Sequence, residues 1–202
     1  RAAIESLNDS VGKVDFKVLI GQLVNLFRNG EPVRMSKRTG DMIALSDVIK
    51  EIGSDATRFY LIHKSADTHL QFDLELAKQK SAENPVYYIQ YAHARICSLK
   101  EKIGDHDQIE LNKSDTVILD KEERSLVFQC LQVYQEVFLA AQNMSPHKLC
   151  NYAHETAKVF HHFYEVSPVI KADKDTQKRR LVILNQLQSV LTICAFILLF
   201  GL

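Results

Sequence analysis

The chain is poor in the residues that build tight turns. Of its 202 residues only seven are glycine and four are proline, and tryptophan is absent. So few turn-forming residues exclude a β architecture with many tight turns and favour helices. Because 46% of the residues are hydrophobic, the chain can bury one large core or two small ones, and a globular protein is expected.

The charge balance and the cysteines assign no partner. Lysine plus arginine equals aspartate plus glutamate at 25 each, so no global positive field indicates a nucleic acid, and any such binding has to be local. The cysteines form no CxxC motif and lie in apolar, helix-like stretches, which predicts free core thiols in a reducing compartment. They are Cys97, Cys130, Cys150 and Cys194.

Several histidines fall in one helix-like segment. Cys150 and His154 are four residues apart and could form half of a zinc site, but no further ligands follow at useful spacing. We therefore predict no metal, and histidines on a helix surface. The set is His147, His154, His161 and His162.

The two ends of the chain bear on its location. The start does not begin with methionine and has no charged-then-apolar leader, so we expect a piece of a longer, cytoplasmic protein. Residues 181–202 carry no charge and approach the length of a membrane span. Polar residues at 185, 186, 188 and 189 interrupt this segment, which favours a buried helix closing a bundle over a span.

Local patterns predict the order of the elements. Residues 14–35 are the only convincing strand territory, and the turn Arg28-Asn29-Gly30 predicts a hairpin. Helix starts and ends follow from capping residues. In the first part of the chain we expect three short helices: one capped by Ser46 and closed by Gly53, one opening at Ser54 or Asp55, and one capped by Asp73. Four further helices follow: a long one from Asn84-Pro85 to about Ile103, one from Asp120 with Glu123, one from Ser145-Pro146, and one from near Asp175.

These patterns give a mainly α protein with two parts. A helical bundle over residues 71–202 follows a smaller hairpin and helical part over residues 1–70, with the hinge between Ser65 and Asp73. Apolar residues at helical spacing predict the buried faces of the bundle. They are Leu126, Val127, Cys130, Leu131, Tyr134, Val137, Phe138 and Ala141 in one helix, and Leu149, Tyr152, Ala153, Thr156, Phe160, Phe163 and Tyr164 in the next.

The helix that begins at Pro85 has two contrasting faces. Its core face is predicted at Val86, Ile89, His93, Ile96 and Ile103, with His93 as a hydrogen-bonded core residue. The other face carries Tyr87, Tyr91 and Arg95 at intervals of four, near Tyr88 and Gln90. Such groups stack on splayed bases and hold phosphates, although packing between helices explains them equally well.

A cationic loop follows the hairpin. Residues 34–40 read Arg-Met-Ser-Lys-Arg-Thr-Gly, which places three cations within five residues beside a hydroxyl. Mobile cations of this kind suit a polyphosphate whose charge shifts during reaction. A solvated surface turn is the alternative. Gln22 precedes this loop on a strand end, where open α/β sheets bind ligands, and is a further candidate for nucleotide contact.

The loop resembles the Lys-Met-Ser-Lys-Ser motif of class I aminoacyl-tRNA synthetases. The resemblance implies that Lys37 stabilises the transition state of amino-acid activation, with Arg34 replacing the first lysine and Arg38 the last serine. It also implies ATP contact through Met35, Ser36, Lys37 and Arg38, with Mg²⁺ accompanying the ATP and no tightly bound cofactor. Gly53-Ser-Asp-Ala-Thr-Arg-Phe59 resembles the segment that follows this loop in several such enzymes.

The segment Asn84-Pro-Val-Tyr-Tyr-Ile-Gln-Tyr-Ala-His-Ala-Arg95 narrows the resemblance to arginyl-tRNA synthetases. It is similar to the motif that opens their anticodon-binding bundle, and Phe72-Asp-Leu-Glu-Leu-Ala77 precedes it as in that family. The resemblance implies a remnant of a Rossmann-type catalytic domain joined to an anticodon-binding domain. It further implies tRNA contact through Asn84, Tyr87, Tyr88, Tyr91 and Arg95.

The implied parent enzyme is a monomeric ligase that makes arginyl-tRNA(Arg), AMP and diphosphate from ATP, L-arginine and tRNA(Arg), with no DNA or membrane partner. The family's His-x-Gly-His motif and arginine pocket are not in these 202 residues, so the chain alone is expected to be inactive. Two alternatives stay open: a cysteinyl or leucinyl class I synthetase, and a freestanding, non-catalytic helical RNA-binding or scaffold module.

Overall fold

The computed structural model describes residues 17–33, 43–104, 118–198 and 201. Within these ranges a three-stranded sheet and seven helices follow one another, and helices dominate, as predicted. The strands are β1 (Val24–Arg28), β2 (Glu31–Pro32) and β3 (Leu70–Asp73). The helices are α1 (Leu45–Ile52), α2 (Ser54–Ile62), α3 (Leu74–Lys78), α4 (Pro85–Ile103), α5 (Lys121–Gln142), α6 (Pro146–Val166) and α7 (Lys174–Leu198).

The predicted hairpin is confirmed. Strands β1 and β2 are antiparallel, with Arg28 opposite Glu31. Between them Asn29 and Gly30 have φ values of 53° and 78°, so both central residues of the turn are left-handed. This is the backbone that an Asn-Gly turn favours, since glycine and asparagine tolerate positive φ best. The paired strands are shorter than the predicted territory.

A third strand lies outside that territory, so the prediction that only residues 14–35 form strands was wrong. Strand β3 pairs in parallel with β1, placing Leu26 beside Phe72. Its two buried residues, Leu70 and Phe72, alternate with polar ones, but four residues are too few for a clear period of two. The strand runs across the proposed boundary at residues 70 and 71, so the division into two parts stays a prediction.

Helices α1 to α3 pack beside the sheet. Helix α1 ends at Gly53, whose φ is 86°, as expected for a glycine closing a helix. The proposed Ser46 cap was wrong: the N-cap is Ala44, and its N–H donates to the Asp47 carboxylate at 3.3 Å. The Asp73 cap is confirmed, because its carboxylate accepts hydrogen bonds from Glu75 N and Leu76 N.

Four charged side chains join this layer at its surface. Arg28 on β1 donates to Glu51 on α1 at 2.6 Å and to Glu75 on α3 at 2.7 Å. Lys78 approaches the same two carboxylates at 2.6 and 3.0 Å. Arg28 is the largest cause that lowers the pKa of Glu51, which falls to about 2, and Lys78 adds to the effect.

Helices α4 to α7 form the predicted bundle, and most of its caps were predicted correctly. Asp120 and Glu123 form the expected reciprocal capping box at the start of α5. Helix α6 begins at Pro146 as predicted, but Ser145 makes no side-chain capping bond, and its buried hydroxyl has no hydrogen-bond partner in the described residues.

The predicted buried face of α5 was partly wrong. Of the predicted residues Leu126 is buried, whereas Leu131, Tyr134, Phe138 and Ala141 are exposed. Val133, which was not predicted, also points into the core. Helix α5 has two apolar faces, and the helices α6 and α7 cover only one of them. The uncovered side borders a cavity of about 470 Å³ between α5 and α7. By contrast, the buried face predicted for α6 is confirmed for all its residues except Tyr164, which is partly exposed.

Helix α7 passes a length and composition test for a membrane span, with half of its most apolar window buried. It packs against α4, α5 and α6, and Leu184, Leu187 and Leu191 are completely buried in the core. Burial within the bundle therefore accounts for the leucine face of this helix, as the interrupted sequence predicted, while Ile193, Phe196 and Ile197 near its end are exposed.

Candidate nucleic-acid interface

Helix α4 directs one face into the bundle and another outward. Val86, Ile89 and Ile96 are buried as predicted, together with Ala92 and Leu99. His93 and Ile103, also predicted on the core face, are only partly buried, and Ala92 takes the inward position next to His93. Burial lowers the pKa of His93, and its ring lies 3.3 Å from the Gln188 amide of α7.

The outward face carries a ladder of aromatic and cationic groups. The Tyr87 and Tyr91 rings stack with 5.7 Å between centroids and 10° between planes. The Arg95 guanidinium carbon lies over the ring of Tyr91 and over the ring of Tyr164 on α6, at 4.4 Å from each ring centroid. Both contacts are cation–π interactions, which attract the guanidinium to the two rings and restrain its position.

Tyr91 is the tyrosine of the ladder that is exposed to solvent. Its side chain is 38% exposed, whereas Tyr88 and Tyr87 are each partly buried. Tyr88 turns toward α6, where its ring meets those of His154 and His161. The ladder thus serves packing between helices and still presents a ring and a guanidinium at the surface.

His161 is a member of this site that the sequence placed wrongly. Predicted on a helix surface, it is only 6% exposed. Its ring lies 4.4 Å from that of Tyr88 and 5.7 Å from that of Tyr91. His161 and Tyr164 are three residues apart and so share a face of α6, but only the packing of α6 on α4 identifies that face as part of the site.

The electrostatics of the site keep its histidines neutral. Burial lowers the pKa of His161, and the positive charge of Arg95 acts in the same direction. Burial also lowers the pKa of His154 and raises that of Tyr88. Arg95 is therefore the cation that the ladder presents at neutral pH.

Asn84 lies below this surface and is part of the fold. It is 4% exposed, its carboxamide oxygen accepts from Val86 N, and its amide donates to the carbonyls of Ala77 and Gln79 at 2.9 Å each. The Tyr60 hydroxyl approaches the same oxygen at 3.5 Å. Because the side chain is buried and its polar atoms are all hydrogen-bonded, we assign Asn84 to the support of helix α4 and not to the surface that contacts RNA.

The predicted nucleotide site lies mostly outside the described residues, which exclude Met35, Ser36, Lys37 and Arg38. Gln22 is described: it is exposed, and its backbone N–H donates to Ala66 O at 2.7 Å. It stands before the amino end of β1, not at the carboxyl end where parallel strands bind ligands. The topological argument for Gln22 therefore does not apply to this sheet.

The four cysteines are free thiols, but only Cys150 and Cys194 are buried in the core as predicted, whereas Cys97 and Cys130 are partly buried. Burial raises the pKa of Cys130 to about 11 and those of Cys150 and Cys194 to about 12. Among the residues that the structure describes, no group of three or more histidine, cysteine, aspartate or glutamate side chains could hold a metal ion.

Comparisons with known proteins agree with this architecture. Residues 89–200 match the DALR anticodon binding domain family. The arginine–tRNA ligase 1 of Halalkalibacterium halodurans is 42% identical over 194 residues, which are 95% of this chain and 34% of the relative. The arginine–tRNA ligase of Desulforudis audaxviator is 43% identical over 178 residues, covering 86% of this chain and 32% of the relative.

Solved structures give the same relationship. A Campylobacter jejuni protein described as an arginyl-tRNA synthetase superposes with a TM-score of 0.80 at 31% identity, over 90% of this chain and 39% of that one. The Thermus thermophilus arginyl-tRNA synthetase, at 21% identity, shares the fold with a TM-score of 0.67 over 87% of this chain and 33% of that one. The chain spans about a third of the length of the curated relatives it matches. The chain belongs to the DALR anticodon binding domain family.

Proposed function

We propose that this chain is the tRNA-binding part of an arginine–tRNA ligase, which converts ATP, L-arginine and tRNA(Arg) to arginyl-tRNA(Arg), AMP and diphosphate. The identity of about 40% to arginine–tRNA ligases along nearly the whole chain supports this substrate set over a cysteinyl or leucinyl enzyme. It also argues against a freestanding RNA-binding module. The parent is a cytoplasmic monomer in this proposal.

The observation that carries the proposal is the Tyr87–Tyr91–Arg95 ladder. An exposed tyrosine ring offers a stacking platform to an unpaired base, and the guanidinium beside it can bind phosphate or a base edge. No carboxylate in the described ranges lies within ion-pair distance of Arg95, so its charge is available to RNA. Tyr88 supports the ladder from the α6 side.

The second role that we propose is closure over ATP by the loop at residues 34–40. Lys37 would meet the charge that develops as pyrophosphate leaves, and Met35, Ser36 and Arg38 would contact the nucleotide, with Mg²⁺ bound alongside it. Gln22 is retained as a weaker candidate for the same site. The histidine motif and the arginine pocket belong to the rest of the parent enzyme, so this chain by itself should bind tRNA and form no aminoacyl-tRNA.

The test is binding of the 202-residue chain to tRNA(Arg) and to a non-cognate tRNA across a salt series. Tighter cognate binding that persists as salt rises is expected, because base contacts are less sensitive to counterions than phosphate contacts. Tyr91→Ala and Arg95→Ala should each weaken cognate binding by about 1–3 kcal/mol, the usual worth of a stacked base or a charged hydrogen bond.

Matched controls are available on α5. Tyr134 is 83% exposed and Arg124 is also exposed, and both lie away from the ladder. Tyr134→Ala and Arg124→Ala should leave tRNA affinity unchanged. Two outcomes would contradict the proposal: the chain binds both tRNAs equally and salt abolishes the binding, or all four variants lose the same affinity. Either would mean that the ladder reads no bases and that the chain makes only nonspecific charge contacts.

A further inference from the structure

The hydrogen-bond partners of His161 define its protonation state. Its Nε2 lies 3.2 Å from the backbone oxygen of Tyr88, which can only accept, so Nε2 carries the proton. Its Nδ1 lies 3.5 Å from Nη1 of Arg95, which can only donate. Both contacts are satisfied by one species, the neutral imidazole with its proton on Nε2. The imidazolium form, which is protonated on both nitrogens, would offer Arg95 no acceptor and would repel its positive charge.

His161 is also the polar group that gives the Arg95 guanidinium a direction. The rings of Tyr91 and Tyr164 attract the guanidinium through their π faces but accept no directional hydrogen bond from it. Among the described residues, Nδ1 of His161 is the acceptor that bonds to one of the guanidinium donors, and this bond restricts rotation of the group. No other acceptor in the part of the chain that the structure describes bonds to Arg95, so its remaining donors are left for a ligand.

We propose that His161 is a positioning residue for tRNA binding: as a neutral acceptor from beneath the ladder, it aims the free donors of Arg95 at the RNA. The inference rests on the proposed function, because it gives Arg95 a ligand. Since imidazole is rigid and 6% exposed, it restrains Arg95 before the ligand arrives, which lowers the entropy lost on binding. The neutral state is supported by the lowered pKa of His161.

Two conservative variants separate the two hydrogen bonds of His161. Asparagine places an amide oxygen near the position of Nδ1, so His161→Asn keeps an acceptor for Arg95 and loses the bond to Tyr88 O. Glutamine reaches the position of Nε2, so His161→Gln keeps that bond and removes the acceptor at Nδ1. We expect His161→Asn to bind tRNA(Arg) within about threefold of the wild type and His161→Gln about tenfold more weakly, since bonds to charged groups are the stronger ones.

A double-mutant cycle distinguishes positioning from simple stabilisation. In an Arg95→Ala background, His161→Gln should change tRNA affinity by less than about twofold, because no guanidinium is left to aim. An equal loss in both backgrounds would make His161 a packing residue and overturn the proposal. Wild-type affinity of His161→Gln, with Arg95→Ala weakened, would overturn it while leaving the proposed function intact.

Two further results are decisive. If Arg95→Ala alone binds tRNA(Arg) normally, both the proposed contact surface and the role of His161 are overturned. Should the His161 variants fail to fold, long-range ¹⁵N–¹H correlation spectra of the unmodified chain still test the idea. The proposal requires a neutral ring protonated on Nε2 at pH 7, and a charged ring or the opposite tautomer would overturn it.

Discussion

At the scale of single residues, a buried side-chain amide holds the start of helix α4. Asn84 caps the helix through Val86 N and binds back to the carbonyls of Ala77 and Gln79. The same helix turn presents Tyr87, so the cap fixes where the ladder begins. Asparagine suits the position because it combines an acceptor for the helix with two donors for the preceding segment.

Asn84→Ala should lower the free energy of unfolding by about 2–3 kcal/mol, because a helix cap is lost and two carbonyls, that of buried Ala77 and the partly buried one of Gln79, lose their donor. Urea unfolding followed by circular dichroism measures this change. Asn143→Ala is the control: its exposed amide donates only to Leu139 O, and its loss should cost less. An Asn84→Ala variant that keeps its stability but loses tRNA affinity would reverse the assignment and make Asn84 a contact residue.

At the scale of elements, an ion-pair network ties the start of α5 to α7. Glu123, which is completely buried, accepts from Arg179 at 3.0 Å and from Arg180 at 2.9 Å. Arg180 also donates to Asp120 at 2.9 Å and to the backbone oxygen of Pro168 at 2.6 Å. Both arginines are thus paired with carboxylates inside the protein.

This network should make stability depend on acid pH. Burial alone would raise the pKa of Glu123 and of Asp120, but the hydrogen bonds, including those from the arginines, outweigh it and lower both. Unfolded carboxyls titrate near pH ~4. The stabilisation is therefore fully present above about pH 5 and is lost as the pH falls through the lower folded-state pKa values.

Glu123→Gln should destabilise the chain by about 3 kcal/mol at pH 7, because it leaves buried arginine charge uncompensated. Its stability should also fall less between pH 5 and pH 3 than that of the wild type, as urea unfolding across this range would measure. Glu155→Gln removes an exposed carboxylate paired with Lys158 and should change stability by less than about 1 kcal/mol. Equal acid sensitivity in all three proteins would contradict the role of the network.

At the scale of the whole molecule, the sheet layer and the bundle meet through α2, which contacts both α4 and α6. Tyr60 stacks on Phe72 of β3 with 5.1 Å between centroids, while its hydroxyl faces Asn84 at the start of α4. Burial is the largest cause that raises the pKa of Tyr60, which reaches about 12. Tyr60 thus links the sheet layer to helix α4, which carries the ladder.

The packing of α7 predicts how the whole chain behaves with lipid. Because its leucines are enclosed by α4, α5 and α6, the chain should stay in the aqueous fraction without detergent and should not float with phosphatidylcholine vesicles in a density gradient. Leu187→Asp, which breaks the core by burying an unpaired charge, is a useful comparison, since the unfolded chain exposes this helix. Flotation of the folded wild type would instead support a membrane-bound helix.

The sequence by itself determined the elements whose causes are local. The Asn29-Gly30 turn, the caps at Asp73, Asn84 and Asp120, and the residues of the aromatic ladder all follow from side chains within a few positions of one another. The fold class could be predicted for the same reason, since helical periodicity is a local signal. These features required no knowledge of what packs against them.

Only the tertiary structure decided the features that depend on a distant partner. Strand β3 is defined by its pairing with β1, and the buried face of α5 by which of its two apolar faces meets α6 and α7. Likewise, His161 became part of the site because α6 lies beside α4, 66 residues from Arg95 along the chain. Spacing along a helix says which residues share a face, but the partner that covers the face is set by packing across the whole molecule.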